Sequence, residues 1–357
     1  MLGGAVGDAL GAPVEFLHVE EIEQVYGEQG IRDYAPAYGK IGAITDDTQM
    51  TLFTAEAMLS AEVASTQLRS GLDFFRAASD SYQRWLATQE HAGRQGGPRQ
   101  MSSWLFQQRR LFSRRAPGTT CLSSLEALHG KSGRASNDSK GCGAVMRSAP
   151  VGMYFAHELR AGKTHAATIT KTFDTARDMA SITHGHPTGS LAAGFFAVVV
   201  AMLLADESLP AAIESAKTEL QKHIFHRETL SAVERAEKLA TTRPRERQAI
   251  REMGKAFVAE EALAISLYCA LCSADFADGV VLAVNHSGDS DSTGSMTGNL
   301  LGAIHGVESI PEKWLRPLEL HDVIEAMADD LAAYPDWRLS GPQDVTERDF
   351  YTKRYPI

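Results

Sequence analysis

Cysteine is scarce, at four residues in 357, so no disulfide framework holds this chain together. Two of the four, Cys269 and Cys272, have CxxC spacing, but they lie in the apolar run ISLYCALC with no second soft pair nearby. They read as buried thiols rather than zinc ligands. Positive charge is also short: 35 Lys and Arg stand against 45 Asp and Glu, a net charge of −10. A surface that neutralises phosphates needs a basic face, so nucleic acid is not an expected partner. The longest apolar run, Leu191 to Ala205, falls below the roughly 20 residues that cross a bilayer. It reads as a buried core helix, and no membrane partner is expected. The opening MLGGAVGDALGAPVEF lacks the basic stretch of a secretory signal, which makes a cytoplasmic setting the expectation. Alternating strand patterns and internal repeats of fixed period are missing too.

What is present is the balance of an ordinary globule, 44% hydrophobic and 22% charged. Apolar residues three and four apart recur at 47 to 64, 66 to 90, 99 to 113, 188 to 205, 259 to 272 and 319 to 333, which predicts helices there. Turn signals at 96 to 98, 116 to 118 and 130 to 143 separate them without a long linker. The expectation is an all-α fold, one domain over 1–357. The charge-dense stretch 223–253, broken at Pro244, is expected as an exposed helical insertion, and the aromatic stretch 335–357 as a tail packed on the domain.

Acidic pairs carry the chemistry. Asp289 and Asp291, in HSGDSDSTG, imitate the start of a calcium loop, but Leu300 stands at the twelfth position where a bidentate glutamate is required. Helix capping is the plain alternative. Thr45, Asp46 and Asp47, in GAITDDTQM, form a second such cluster at the entry of an amphipathic segment, with Thr45 the expected N-cap. One acid in a first helical turn suits the helix dipole; two adjacent carboxylates repel, and a cation relieves that. The two clusters together suggest one all-oxygen site for a hard cation, Mg, Mn or Ca. Four carboxylates carry more charge than one divalent ion needs, which points to two metals.

Gly294, Gly298, Gly302 and Gly306 recur every fourth residue, as do Gly3, Gly7 and Gly11 in a segment expected to stop before Pro13. Interior glycine costs a helix about 1 kcal/mol relative to alanine, so each stripe implies close approach of another backbone. The two are expected to pack together and bring Glu15 near Asp289. Asp8, inside the first helix, suits a buried capping role or direct chemistry. The turn SNDSKGCGAVMRSAPVG, 136 to 152, leads into an apolar segment expected to end by Pro150. Its amides are able to cradle phosphate oxygens, and Lys140 and Arg147 either add positive charge or pair with acids. Of the histidines in SITHGHPTGS, His186 suits a core role and His184 a ligand contact.

Taken in order, GDALGAPVE (7 to 15), TDDTQM (45 to 50), GCGAVMRSAPVG (141 to 152), THGHP (183 to 187), AEEALA (259 to 264) and GDSDSTGSMTGNLLGA (288 to 303) resemble the ADP-ribosylglycohydrolase family over nearly the whole chain. The resemblance implies an all-α orthogonal bundle with two divalent cations, Mg or Mn, at the base of a cleft. By motif position it implies Thr45, Asp46, Asp47, Asp289, Asp291 and Ser292 as metal ligands and Glu15 as the glutamate beside them. It places the diphosphate on Gly141, Cys142, Gly143 and Ala144, and His184 in the substrate pocket. Relatives carry more helix ahead of the first motif, some carry asparagine at Cys142, and several arginine-specific ones carry an acid where 91 to 100 has none. The expected reaction is hydrolysis of ADP-ribose from a modified protein side chain, arginine first, with Glu15, Asp46, Asp47, Asp289 and Asp291 managing the chemistry. Serine- or O-linked ADP-ribose is the alternative acceptor, and an immunity protein that binds an ADP-ribosyltransferase toxin is the non-catalytic one.

Overall fold

A computed structural model describes residues 1–69, 71–90, 103–162, 165–340 and 344–356. Its centre is the apolar run seen in the sequence. His186 accepts a hydrogen bond from the Thr188 amide, Pro187 opens the first turn, and the resulting helix Pro187–Leu204 is buried on almost every side. Fully burying each of its Phe and Val side chains contributes about 1.5–3 kcal/mol, so the run is a core helix.

In chain order the elements are α1 (Leu2–Gly11), α2 (Val19–Tyr26), a hairpin of β1 (Pro36–Ala37) and β2 (Lys40–Ile41), α3 (Asp46–Leu68), α4 (Phe74–Glu90), α5 (Thr119–Leu128), α6 (Ala149–Arg160), α7 (His165–Ala180), α8 (Pro187–Leu204) and α9 (Leu209–Leu220). There follow α10 (Arg227–Thr242), α11 (Arg247–Met253), α12 (Ala259–Cys272), α13 (Phe276–Val284), α14 (Ser290–His305), α15 (Glu312–Leu315), α16 (His321–Ala333) and α17 (Val345–Arg354). The all-α expectation holds. Helices α6, α7, α9, α12 and α14 surround α8, and α1 lies against α14.

The α1–α14 crossing confirms the matched glycine stripes. A Cβ on Gly7 would sit 1.9 Å from the Gly294 carbonyl oxygen, and one on Gly3 2.4 Å from that of Gly298. The backbones therefore touch where side chains would normally hold helices about 8–10 Å apart. α1 stops at Gly11 as expected, and the next turn carries Glu15 back toward the start of α14. Gly306 is a correction: it lies past the end of α14 at φ +76° with open space beside it, where it terminates the helix instead of packing.

Other boundaries moved. The break expected after 64 falls later: α3 runs to Leu68, Arg69 takes φ +50° as its C-cap, and α4 begins at Phe74. Pro150 begins α6 instead of ending the segment before it, because proline fits a first helical turn. Of the helix expected at 99 to 113, residues 99–102 lie outside the described residues, as do the turn at 96 to 98 and the acid-free stretch 91 to 100. The rest is turns and a 3-10 turn at Arg109–Leu111, with Leu105, Phe106, Leu111 and Phe112 buried as a strap across the surface. The charged stretch 223–253 does form a helix pair broken at Pro244, but α10 buries Val233 and Ala236 completely and packs on α12. At the far end, Trp337 stacks on Tyr351 at 3.6 Å and the Arg354 guanidinium covers the Trp104 ring at 3.6 Å. Cys269 and Cys272 are free thiols; Cys269 is buried as expected, while Cys272, at the end of α12, is only partly so.

Candidate active site

Thr45 is the N-cap of α3: its hydroxyl accepts from the Asp47 amide at 3.3 Å. It also donates to Asp8 at 2.9 Å, and Asp8 takes the Thr45 and Thr48 amides at 3.0 and 3.1 Å. Asp8 thus caps α3 from within α1. This leaves the first-turn acids free to face the cleft. Asp46 accepts the Gly118 amide at 3.1 Å, while one oxygen of Asp47 is buried with no partner. At α14 the capping alternative fails, since Asp289 makes no cap hydrogen bond. Instead it accepts the Cys142 thiol at 2.7 Å. Asp291 accepts the neighbouring Ser292 amide at 3.0 Å and lies against the Glu15 and Asp289 carboxyls. The Ser292 hydroxyl is buried beside Met146.

Glu15 joins them. One oxygen each of Glu15, Asp289 and Asp291 lie within 4.8 Å of one another, and Glu15 Oε2 is buried and unpaired. Burial, then Asp291, Asp289 and Asp46, push the Glu15 carboxyl up to about 11. Burial, then Asp291, push Asp8 up to about 7, and the same two causes lead in raising Asp46, Asp47 and Asp289. So many buried carboxylates of one sign are unstable together without a compensating charge. The basic residues of the 136 to 152 turn do not supply it. Lys140 pairs with Glu228 at 2.6 Å and with Glu260, and Arg147 lies fully buried, donating to the Gly143 carbonyl and the Thr183 hydroxyl at 2.7 Å each. Two orphaned carboxylate oxygens in an all-oxygen set fit a hard divalent cation.

The acids floor a chamber of about 350 Å³, within the size range of small-molecule sites. Larger hollows lie beside Trp104 and beside Arg245, but neither contains these acids. One wall is Gly141, Cys142 and Gly143, backed by His184. The amides of this loop are less free than expected. Gly141 donates to the Ser139 hydroxyl and Cys142 to the Phe257 carbonyl, so neither amide is available to phosphate. Ala144 is buried behind the wall and is not among its described lining residues. Gly143, at the opening of the 3-10 turn Cys142–Ala144, keeps the amide that no turn carbonyl claims. Burial, then Arg147, lower His184 to about 3 and keep its ring neutral; its Nδ1 meets the Thr183 hydroxyl at 2.8 Å.

Another part of the lining was not legible in the sequence. Ala116 to Cys121 contribute to it, with Thr120 and Cys121 against the Ser139–Gly143 loop, and Phe16 and Phe257, also lining the chamber, stack at 6.1 Å between ring centroids. Phe16 (φ +69°) and Ala116 (φ +51°) hold backbone conformations that non-glycine residues rarely adopt. The turn signal at 116 to 118 located the loop but not its role.

A helical scaffold that gathers carboxylates from three helix ends under a chamber defines the class of arrangement: a buried acidic cluster with the oxygen chemistry to hold a hard cation. The family description ADP-ribosylglycohydrolase matches residues 1–339, and the chain belongs to that family. It is 27% identical to the ADP-ribosyl-[dinitrogen reductase] glycohydrolase of Rhodospirillum rubrum, covering 89% of this chain and 88% of that one. It is 25% identical to the ADP-ribosylarginine hydrolase Tri1 of Serratia proteamaculans, covering 93% and 77%. A solved structure titled ADP-ribosylglycohydrolase-related protein complex superposes with a TM-score of 0.65 at 26% identity over 94% of this chain and 95% of that one. The protein is therefore an enzyme of ADP-ribosyl glycosidic bond hydrolysis.

Proposed function

We propose that this enzyme removes ADP-ribose from modified arginine side chains of proteins, using two divalent cations, Mg or Mn. The observation that carries the reading is the acid cluster with its orphaned oxygens on Glu15 and Asp47. Asp46, Asp47, Asp289 and Asp291, with the hydroxyls of Thr45 and Ser292, would hold the cations. Bound there, such ions supply positive charge for the ribose hydroxyls and lower the pKa of water. The residues of the chain do the rest. Gly143 offers its amide to the diphosphate, and neutral His184 braces that loop. With the charge of its acidic neighbours offset by bound cations, Glu15 would be ionised and take a proton from the attacking water as the anomeric C–N bond breaks; the protonated guanidinium leaves as neutral guanidine and then regains that proton. The name of the Serratia relative favours arginine as the acceptor.

Incubation with arginine-ADP-ribosylated protein, with and without Mg or Mn, tests this. Wild type should release ADP-ribose only with metal, and Asp46→Ala and Asp289→Ala should lose both release and cation binding by calorimetry. No release by wild type, or undiminished release by both variants, rejects the reading.

A further inference from the structure

Two sulfur atoms stand beside the α14 acids in a site otherwise built from oxygen. Cys142 Sγ gives its proton to Asp289 Oδ2 at 2.7 Å, and Met146 Sδ lies 3.7 Å from the Ser292 hydroxyl. Both residues line the chamber. The Met146 amide donates to the Cys142 carbonyl at 3.1 Å, the bond of one helical turn, and residues four apart on a turn share a face. Cys121 lines the chamber too, but the Arg147 guanidinium lies 3.4 Å from its sulfur and keeps a second cation away.

An all-oxygen set suits Mg, Mn or Ca, whereas sulfur donors favour zinc-class ions. Asp47 adds an independent sign that this chamber takes a cation: it lines the same space, is 2% exposed, and its Oδ1 has no partner. The spacing at Cys142 also suits a shared ion. Zinc bonds of about 2.3 Å to sulfur and 2.1 Å to oxygen, at a tetrahedral angle, put the two donors about 3.6 Å apart. From their 2.7 Å contact, Sγ and Oδ2 have to part by only about 1 Å.

We propose that Cys142 and Asp289, with Met146 beside them, form a thiophilic cation position that takes zinc-class ions in preference to Mg or Mn. The ion replaces the thiol proton, which passes to solvent, and the sulfur binds it as thiolate. Asp289 belongs to both ligand sets, so zinc and the activating cations exclude each other and zinc inhibits hydrolysis. The inference rests on the cation reading above.

Cobalt(II) is the probe for sulfur ligation and zinc the probe for competition. Wild type titrated with cobalt should develop a thiolate-to-metal charge-transfer band in the near ultraviolet. Cys142→Ser should lose the band, and Cys272→Ser, which removes a partly buried thiol elsewhere, should keep it. By isothermal calorimetry Cys142→Ser should lose zinc affinity by at least about 10-fold and keep wild-type Mg affinity, since serine still donates to Asp289. Cys142→Asn provides a second variant without sulfur, and thermal melts show that each variant is folded. Zinc should also reduce the Mn that wild type binds. Absence of the band in wild type, its survival in folded Cys142→Ser, equal losses of zinc and Mg affinity, or Mn binding indifferent to zinc each overturn the proposal. A wild type that shows the band yet binds neither Mg nor Mn supports the thiol site and rejects the two-cation reading instead.

Discussion

Replacing Gly7 with alanine tests how the two halves of the site are brought together. The new Cβ would lie 1.9 Å from the Gly294 carbonyl oxygen and 2.3 Å from its carbon. Ordinary contact begins near 3.5 Å, so the helices must part by roughly 1.5 Å. Both colliding groups are backbone, which places the strain near the top of the usual overpacking range of about 1–3 kcal/mol. Alanine returns about 1 kcal/mol of helix propensity, leaving a net loss of about 2 kcal/mol. At an unfolding entropy of about 2.1 cal/mol/K per residue this lowers the melting temperature by about 3 °C. Glu15 rides on the end of α1, so its separation from Asp289 and Asp291 grows, and cation affinity should fall with stability. Gly302→Ala is the counterpart. Its Cβ meets the Gly3 Cα at 3.6 Å and the Gly3 nitrogen at 3.9 Å, both ordinary contacts, so the propensity gain of about 1 kcal/mol should survive. Scanning calorimetry, paired with cation titration by isothermal calorimetry, should show shifts of opposite sign. A Gly7→Ala protein that melts at or above wild type would refute the argument from close backbone approach.

The cation-free protein should lose stability as pH rises, contrary to the usual behaviour of salt-bridged acids. Folded Asp8 is raised to about 7 and Glu15 to about 11, above unfolded values near 4. Their stabilisation is full below about pH 4 and is lost as pH rises through 7 for Asp8, and higher for Glu15. Chelator-treated protein should therefore melt lower at pH 8 than at pH 5.5, and added Mg or Mn should remove the difference; a rise with pH contradicts the assignment. Arg147→Met removes the hydrogen bonds that hold the Gly143 carbonyl and Thr183. It should raise KM by about 10-fold, the loss of one charge-assisted bond, with cation affinity unchanged by calorimetry. An effect on kcat or cation binding alone would show that the loop is held in some other way.

Patterns local in sequence survived folding best. The helix expected at 259 to 272 spans those residues in the structure, because its apolar density needs no tertiary information. The glycine stripes were legible because only backbone contact compensates their cost in a helix. Thr45 was readable as a cap because capping is a four-residue event. What stayed hidden depends on distant partners. Trp104, Leu105 and Phe112 show helical spacing but lie in a strap held down by neighbours. Phe16, Tyr38 and Ala116 take left-handed backbone angles that nothing in their side chains announces. Lys140 and Arg147 were open between adding positive charge and pairing with acids, and only the fold decides: Lys140 pairs with two glutamates, while Arg147 props a carbonyl.

The contact between α1 and α14 also orders events during synthesis. Gly3 and Gly7 meet carbonyls some 290 residues later in the chain, which at roughly 5–20 residues per second is a wait of about 15 to 60 seconds on the ribosome. Until α14 emerges, α1 has no surface that fits its bare glycine face, and Glu15 has neither Asp289 nor Asp291 beside it. The last helix to complete the acid cluster is thus the one that seats the first. A nascent chain should lack the complete acid cluster, and the activity that depends on it, until α14 has been made.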